Sequence, residues 1–202
     1  MPTKKEDVLM SIMILSIPSR LEKLISLYDK LEKQSENYPE VEILCLVDNK
    51  SMSIGEKRQC VLDSARGQWV GFMDDDDDIS DDYVSSLVDA MKNHPADVIT
   101  FDQHCVVNGQ EFTVNFSMNN QHQTYIYGMT HVKRQPFHMC FWKSEIAKAS
   151  VFEDSSYGED HAWCKSMYPK IRSETHINKC LHLYRYDDRK SESIQFMKKE
   201  IQ

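Results

Sequence analysis

Trp69-Val-Gly-Phe-Met73, followed at once by Asp74-Asp-Asp-Asp-Asp78, is the stretch on which the reading of this chain turns. An apolar run delivers five consecutive carboxylates to one place. At an effective dielectric near 20, two carboxylates about 5 Å apart repel by roughly 3 kcal/mol. A folded chain that holds such a cluster therefore calls for a divalent cation or for protonated acids. Residues i and i+2 of an extended chain point to one side, so Asp74 and Asp76 are expected to face one ion together while Asp75 turns away. Hard carboxylate oxygens suit Mg²⁺, Mn²⁺ or Ca²⁺, and Mg²⁺ is usually held by one or two carboxylates with substrate phosphates completing its shell. The plain alternative is a solvated acidic loop. Its context speaks against that: the apolar run precedes it, and the amphipathic pattern Val84, Leu87, Val88, Met91 follows it. Ser80 opens that helix, and Asp81 and Asp82 in its first turn read as partners of the helix dipole.

Upstream, Val8 to Ile17 is nearly continuous in apolar residues, the pattern of a strand buried on both faces. Ser19-Arg-Leu-Glu22 reads as a capping box for a helix with Leu21, Leu24, Ile25, Tyr28 and Leu31 at helical spacing. Val41 to Val47 is a second strand, ending in Asp48. A second capping box, Ser53-Ile-Gly-Glu56, opens a helix expected to carry Cys60, Val61 and Ala65 inward and to stop at Gly67, before the third strand. Asp97 to Phe101, after the helix that ends at His94-Pro95, is the fourth. This alternation predicts a doubly wound sheet with right-handed crossovers over the first hundred residues.

The second half reads differently. Asn108-Gly109 is a hairpin signal, Tyr125 to Tyr127, Met139 to Trp142 and Leu181 to Tyr186 read as further strands, and Tyr157 to Tyr168 as a loop entering a short helix. The expectation is an α/β fold: one domain over residues 1–202 with a mixed central sheet and a smaller antiparallel portion. Ligands of open α/β sheets sit beyond the carboxyl ends of the strands, where Pro18, Ser19, Arg20, Asp48 and Asp74 to Asp78 fall.

A chain of 202 residues is long enough for one ordinary domain and too short for two comfortable ones. Its net charge of -8 argues against a sequence-independent grip on nucleic acid, which rests on clustered Lys and Arg. The six cysteines (45, 60, 105, 140, 164, 180) stand singly without a Cys-x-x-Cys pair, and no secretory leader opens the chain, so reduced thiols in the cytoplasm are expected. No apolar run approaches the roughly 20 residues of a membrane span, so any membrane role is expected to be peripheral or by way of a partner.

Four pieces of the sequence, in order, resemble the family-2 glycosyltransferases of GT-A (Rossmann-like) fold. Ile17-Pro-Ser-Arg20 is similar to the family's "IP-T-x-N-R" end of the first strand, and Leu46-Val-Asp48 to the acidic end of the second. Gly55-Glu-Lys-Arg58 through Ala65-Arg-Gly67 to Asp77 looks like its "a-R-N... A-x-G-x-y-i-x-f-l-D-x-D-D" block. Tyr157-Gly-Glu-Asp160, with Trp163 beyond, resembles its "G-E-D" element. The second strand departs from the pattern, ending Asp48-Asn-Lys-Ser51 in place of Asp-Asp-Gly-Ser.

The resemblance implies an inverting, metal-dependent transfer of one sugar from a nucleoside-diphosphate sugar, a UDP-sugar by preference, to the hydroxyl of a glycan or other acceptor. Residues 1–103 would be the nucleotide-sugar half and 104–202 the acceptor half. Asp160 would be the general base, with Glu159 beside it as an orienting partner or a surface acid. Pro18, Ser19, Arg20, Asp48, Lys57, Arg58, Asp74, Asp75 and Arg189 would hold the donor. Asp76 would be the principal ligand of Mn²⁺ or Mg²⁺, with Asp74, Asp78 and the late His182 as further candidates; the register within the aspartates stays open. Trp163, Tyr157 and His138 could meet the acceptor, against the plainer reading of each as core or rim. Compact relatives of this layout belong to bacterial surface-polysaccharide systems and to phages and large DNA viruses. In a viral chain the expected site is the host cytoplasm, and modified DNA bases join glycans among the acceptors.

The chemistry follows without the resemblance. A diphosphate leaves only when its charge is neutralised, and a hydroxyl attacks only when a base takes its proton. Two rival classes use overlapping parts. A nucleotidyltransferase would also pair aspartates around Mg²⁺, but calls for a Gly-rich basic loop after the first strand, which Pro18-Ser-Arg20 is not. A non-catalytic sugar, nucleotide or Ca²⁺ module would not need Asp160.

Overall fold

The structure, a computed structural model, describes residues 8–187. Its strands are β1 (Met10–Ser16), β2 (Val41–Val47), β3 (Trp69–Asp74), β4 (Asp78–Ile79), β5 (Val98–Val107), β6 (Gln110–Phe116), β7 (His131–Arg134), β8 (Phe141–Lys143) and β9 (Glu174–Tyr186). Its α-helices are α1 (Leu21–Ser35), α2 (Ile54–Ser64), α3 (Tyr83–Asn93), α4 (Ser144–Lys148) and α5 (Glu159–Met167).

The strands make one mixed sheet in the order β2-β1-β3-β8-β5-β6-β7, with β9 along the other edge of β5 and touching β4. β1 runs parallel to both β2 and β3, as the sequence pattern predicts. The fourth predicted strand does not join them. β8, from far along the chain, sits antiparallel between β3 and β5 through Val70–Trp142 and Val98–Trp142. Its short apolar stretch Phe141-Trp142 can be buried on both faces only in the interior of the sheet.

Helices α1 and α3 pack together on one face, and α2 packs against α5 on the other. The second face is filled by aromatic rings: Phe152 stacks on Trp163 at 4.6 Å between centroids, with Phe72 and Trp142 edge-on to Trp163 at 5.7 and 6.1 Å.

Several local expectations change. The Ser19–Glu22 capping box does not form, because Pro18 starts a 3₁₀ turn over Pro18–Arg20 that places Ser19 inside the turn and Arg20 at the cap of α1. The Ser53–Glu56 box forms in full, with both reciprocal hydrogen bonds. Cys60 is exposed, since the buried side of α2 runs through Gly55, Lys57, Arg58, Val61 and Leu62. Tyr125 to Tyr127 is not a strand: Tyr125 stacks on Phe112 at 4.1 Å, while Ile126 and Tyr127 are exposed, and β7 takes the place beside β6. The Asn108-Gly109 turn joins β5 to β6 as expected.

Two glycines set the approach of α2 to α5. Gly55 N–H donates to the Ser155 carbonyl at 2.8 Å, and a Cβ at Gly55 would lie 1.8 Å from the Glu153 carbonyl oxygen. Gly158, with φ 80°, holds the left-handed turn that starts α5. Gly55→Ala is therefore expected to lower stability by roughly 1–3 kcal/mol, seen as a lower urea midpoint at unchanged m value.

Candidate active site

The carboxyl ends of β1, β2 and β3 meet the first turns of α2 and α5. β3 ends at Asp74, and Asp77 N–H donates to the Asp74 carbonyl at 3.2 Å, so the chain turns at Asp75 and Asp76. Strand alternation stops there, which corrects the expectation that Asp74 and Asp76 face one ion together. Asp74 shares the face of Phe72, toward α2 and α5; Asp75 points to the opposite face, toward β1 and the turn before α1.

Each of the five carboxylates has a basic side chain beside it, Asp75 and Asp76 sharing one arginine. Asp74 lies 3.5 Å from Arg58 Nη2 and 3.7 Å from His138 Nε2. Asp75, 3% exposed, accepts from Ser16 Oγ at 2.6 Å and pairs with Arg20. The same Arg20 Nη2 reaches Asp76 at 2.6 Å, and Lys23 approaches the other Asp76 oxygen at 3.5 Å. Asp77 is buried 3.0 Å from His182 Nε2, whose Nδ1 meets Gln103 at 2.8 Å. Asp78 turns to Lys30 of α1 at 2.5 Å.

Burial lifts the Asp75 carboxyl to about 6, with Ser16 and Arg20 opposing the rise and Asp76 and Asp74 adding to it. Burial also raises Asp77, against the pull of His182. Asp74 goes the other way: burial would raise it, but His138 and Arg58 hold it well below the usual carboxylate range. Beside the run, α1 and Arg185 complete a cleft of about 350 Å³ lined by Lys23, Ser26, Lys30 and Asp75 to Asp78.

At the end of β2, Asp48 Oδ1 lies 2.7 Å from Lys57 Nζ, and Oδ2 accepts from the Ser51 and Met52 N–H groups at 2.7 and 3.1 Å. The hydrogen bond from Lys57 holds this carboxyl well below its usual range, against the smaller opposing effect of burial.

At the N-terminus of α5, Arg58 Nε donates to Glu159 at 3.1 Å, with its guanidinium 4.8 Å over the Phe72 ring. Asp160 Oδ1 accepts from His161 N–H at 2.6 Å, and its Oδ2 lies 3.3 Å from His138 Nδ1. His138 thus joins Asp160 to Asp74. Burial and the Arg58 charge push the imidazole down, yet the two carboxylates override them and raise it to about 9. Burial would raise Asp160, and His138 reverses this to leave it lowered.

The structure gathers Arg20, Asp48, Lys57, Arg58, Asp74, Asp75, Asp76, Glu159 and Asp160 around the strand ends, with Pro18 and Ser19 exposed in the turn before α1. Tyr157 is 49% exposed beside them. Other expectations are corrected. Trp163 is 1% exposed within the aromatic stack and offers no face to an acceptor. His138 is a buried bridge between carboxylates. His182 has no exposed surface and is taken by Asp77 and Gln103, while Asp78 is turned away to Lys30; neither joins Asp76. Arg189 lies outside the described residues. Sequence reasoning missed the roles of Ser16, Lys23 and Asp77 and the Arg58–Glu159 pair, because ion pairs between distant elements leave no local pattern.

Among the described residues no group of three or more His, Cys, Asp and Glu side chains could hold a metal ion. The Asp76 carboxylate, 40% exposed, presents hard oxygens at the mouth of the site. Such a donor set fits Mg²⁺ or Mn²⁺ shared with substrate oxygens, and does not fit a closed protein cage.

The profile described as "Glycosyl transferase family 2" matches residues 26–155, well over half of the sequence. Comparison with curated proteins finds no match. Among solved structures the fold is similar to S. aureus TarS. TarS 1–349 in complex with UDP has a TM-score of 0.64 at 15% identity, covering 90% of this chain and 61% of that one. TarS 1–349 in complex with UDP-GlcNAc gives 0.62 at 12% identity, covering 93% and 61%. For the longer TarS structure the values are 0.59, 13%, 90% and 37%. The chain thus spans less than two-thirds of these structures, and the likeness is one of fold. No helix among the described residues is long and apolar enough to cross a membrane.

The raised imidazole carries a pH signature. Its folded value of about 9 stands above the roughly 6.5 of a free histidine, so its stabilisation is complete below about 6.5 and is lost as pH rises through 9. The melting temperature is expected to fall across that window, and His138→Gln to flatten the fall while lowering the value at pH 6.5.

Proposed function

The chain belongs to glycosyl transferase family 2, and from that membership we propose that it moves a single sugar from a nucleoside-diphosphate donor to an acceptor hydroxyl, inverting the anomeric centre. The observation that carries the reading is the meeting of Asp160 with Asp74: a base candidate on α5 stands in the same site as the carboxylate that ends β3, joined to it through His138. A uridine nucleotide is the favoured donor, in keeping with the UDP and UDP-GlcNAc complexes of the similarly folded TarS.

In this mechanism Asp48 and Lys57 form the base-binding corner at the end of β2, and Asp74 and Arg20 border the ribose and diphosphate. The acceptor oxygen attacks the anomeric carbon opposite the diphosphate, its proton passes to Asp160, and the anomeric C–O bond breaks with its electron pair going to the leaving nucleoside diphosphate. His138 holds Asp160 ionised and ready to accept that proton. Arg20 and Lys23, now on Asp76, are the cations within reach of a diphosphate placed there. Asp76 would hold Mn²⁺ or Mg²⁺, which when bound neutralises charge on the leaving group. Tyr157 and the exposed His161 flank Asp160 on the acceptor side. A glycan hydroxyl is the favoured acceptor.

A thermal-shift panel of UDP-, GDP- and dTDP-sugars with and without Mn²⁺ tests this, since a ligand at 100 times its Kd adds about 2.7 kcal/mol. A shift requiring both metal and a uridine nucleotide is expected. Asp160→Asn should keep that shift while turnover drops by roughly 10²–10⁴-fold. Full biological function in Asp160→Asn, or a shift with metal alone, would point to a binding module instead.

A further inference from the structure

We propose that His138 is a positioning residue for the transfer proposed above, on which this inference rests: it fixes the orientation of the Asp160 carboxylate by spanning from it to Asp74. The side chain is 6% exposed, too enclosed to present itself to a substrate, so it acts through its neighbours. Each ring nitrogen faces a different carboxylate, Nδ1 toward Asp160 at 3.3 Å and Nε2 toward Asp74 at 3.7 Å. The residue is itself fixed to the strand that carries Asp74, because Phe72 N–H donates to the His138 carbonyl at 3.0 Å. Phe137 lies 4.6 Å from the ring and confines it further.

A carboxylate at a helix start can rotate about its terminal torsion, and only some rotations aim a lone pair at an incoming hydroxyl. On Asp160, Oδ1 accepts from the His161 N–H at 2.6 Å and Oδ2 stands 3.3 Å from His138 Nδ1, a charge contact outside hydrogen-bond alignment that together with the Oδ1 bond narrows that freedom. Arg58 makes a second tie of the same kind, from Asp74 to Glu159. The two acids that open α5 are thus both registered to one carboxylate at the end of β3. Burying a polar ring between two acids is costly where an apolar side chain would pack, and a positioning role accounts for its presence there.

The two nitrogens can be tested separately. The amide nitrogen of Asn reaches about as far as Nδ1, and that of Gln about as far as Nε2. With UDP-GlcNAc as probe and UDP release as readout, His138→Gln is expected to lower kcat roughly a hundredfold while leaving KM and the UDP thermal shift nearly unchanged. His138→Asn is expected to recover much of the loss. In an Asp160→Asn background, His138→Gln should add no further loss, because its effect runs through the missing carboxylate. Wild-type kcat in His138→Gln, multiplicative losses in the double variant, or equal losses in both variants that track melting temperature would overturn the proposal. Those outcomes require an active wild-type enzyme. Absence of nucleotide release by the wild type from UDP-GlcNAc and from every sugar nucleotide of the panel would instead remove the transfer reading, and this inference with it.

Discussion

Five adjacent carboxylates can occupy one turn of a folded chain only if their charge is met within a few ångströms, and that requirement organises this molecule. The partners come from every side: Arg58 from α2 and His138 from the approach to β8 for Asp74, Arg20 for Asp75 and Asp76, His182 from β9 for Asp77, and Lys30 from α1 for Asp78. The acidic run is therefore a hub on which both helical layers and the far edge of the sheet converge. Some of these pairs are enclosed, and an enclosed pair brings little net stability once desolvation is counted. What it supplies is registration, since a misplaced partner leaves a bare buried charge.

The same economy of placement explains why α2 buries Lys57 and Arg58 in the middle of its inward face. One serves Asp48 at the end of β2, the other Asp74 and Glu159. Such a helix face would be a fault in an ordinary core. Here the close contact at Gly55, where no side chain fits against the Glu153 carbonyl, brings α2 against the segment leading to Asp160. The aromatic stack of Phe72, Phe152 and Trp163 underlies the ion pairs on this face and supplies the apolar burial that they do not.

Legibility followed the range of the interactions. β1, β2 and β3, the Ser53–Glu56 capping box, the helix with Val84, Leu87, Val88 and Met91, and the Asn108-Gly109 turn are set by contacts within a few residues, and all were readable. Ser19–Glu22 carried the letters of a capping box but not the conformation, because Pro18 fixed the backbone first. Tyr125 to Tyr127 had the composition of a strand, but it is His131–Arg134 that pairs with β6, while Tyr125 stacks on Phe112 and Ile126 and Tyr127 stay exposed. Trp163 and His182 had chemistry suited to a site, and burial removed both from it.

By itself the sequence determined an α/β domain whose first three strands run parallel, with acidic and basic groups at their carboxyl ends and a Gly-Glu-Asp turn further on. Local periodicity and turn chemistry are enough for that. The tertiary structure alone decided that β8 inserts between β3 and β5, that the chain turns at Asp75 and so parts Asp74 from Asp76, and that His138 stands between Asp74 and Asp160. These are outcomes of packing and of charge pairing across long stretches of chain, where the partner of a residue is chosen by which side chains burial brings together, and no local pattern records that choice.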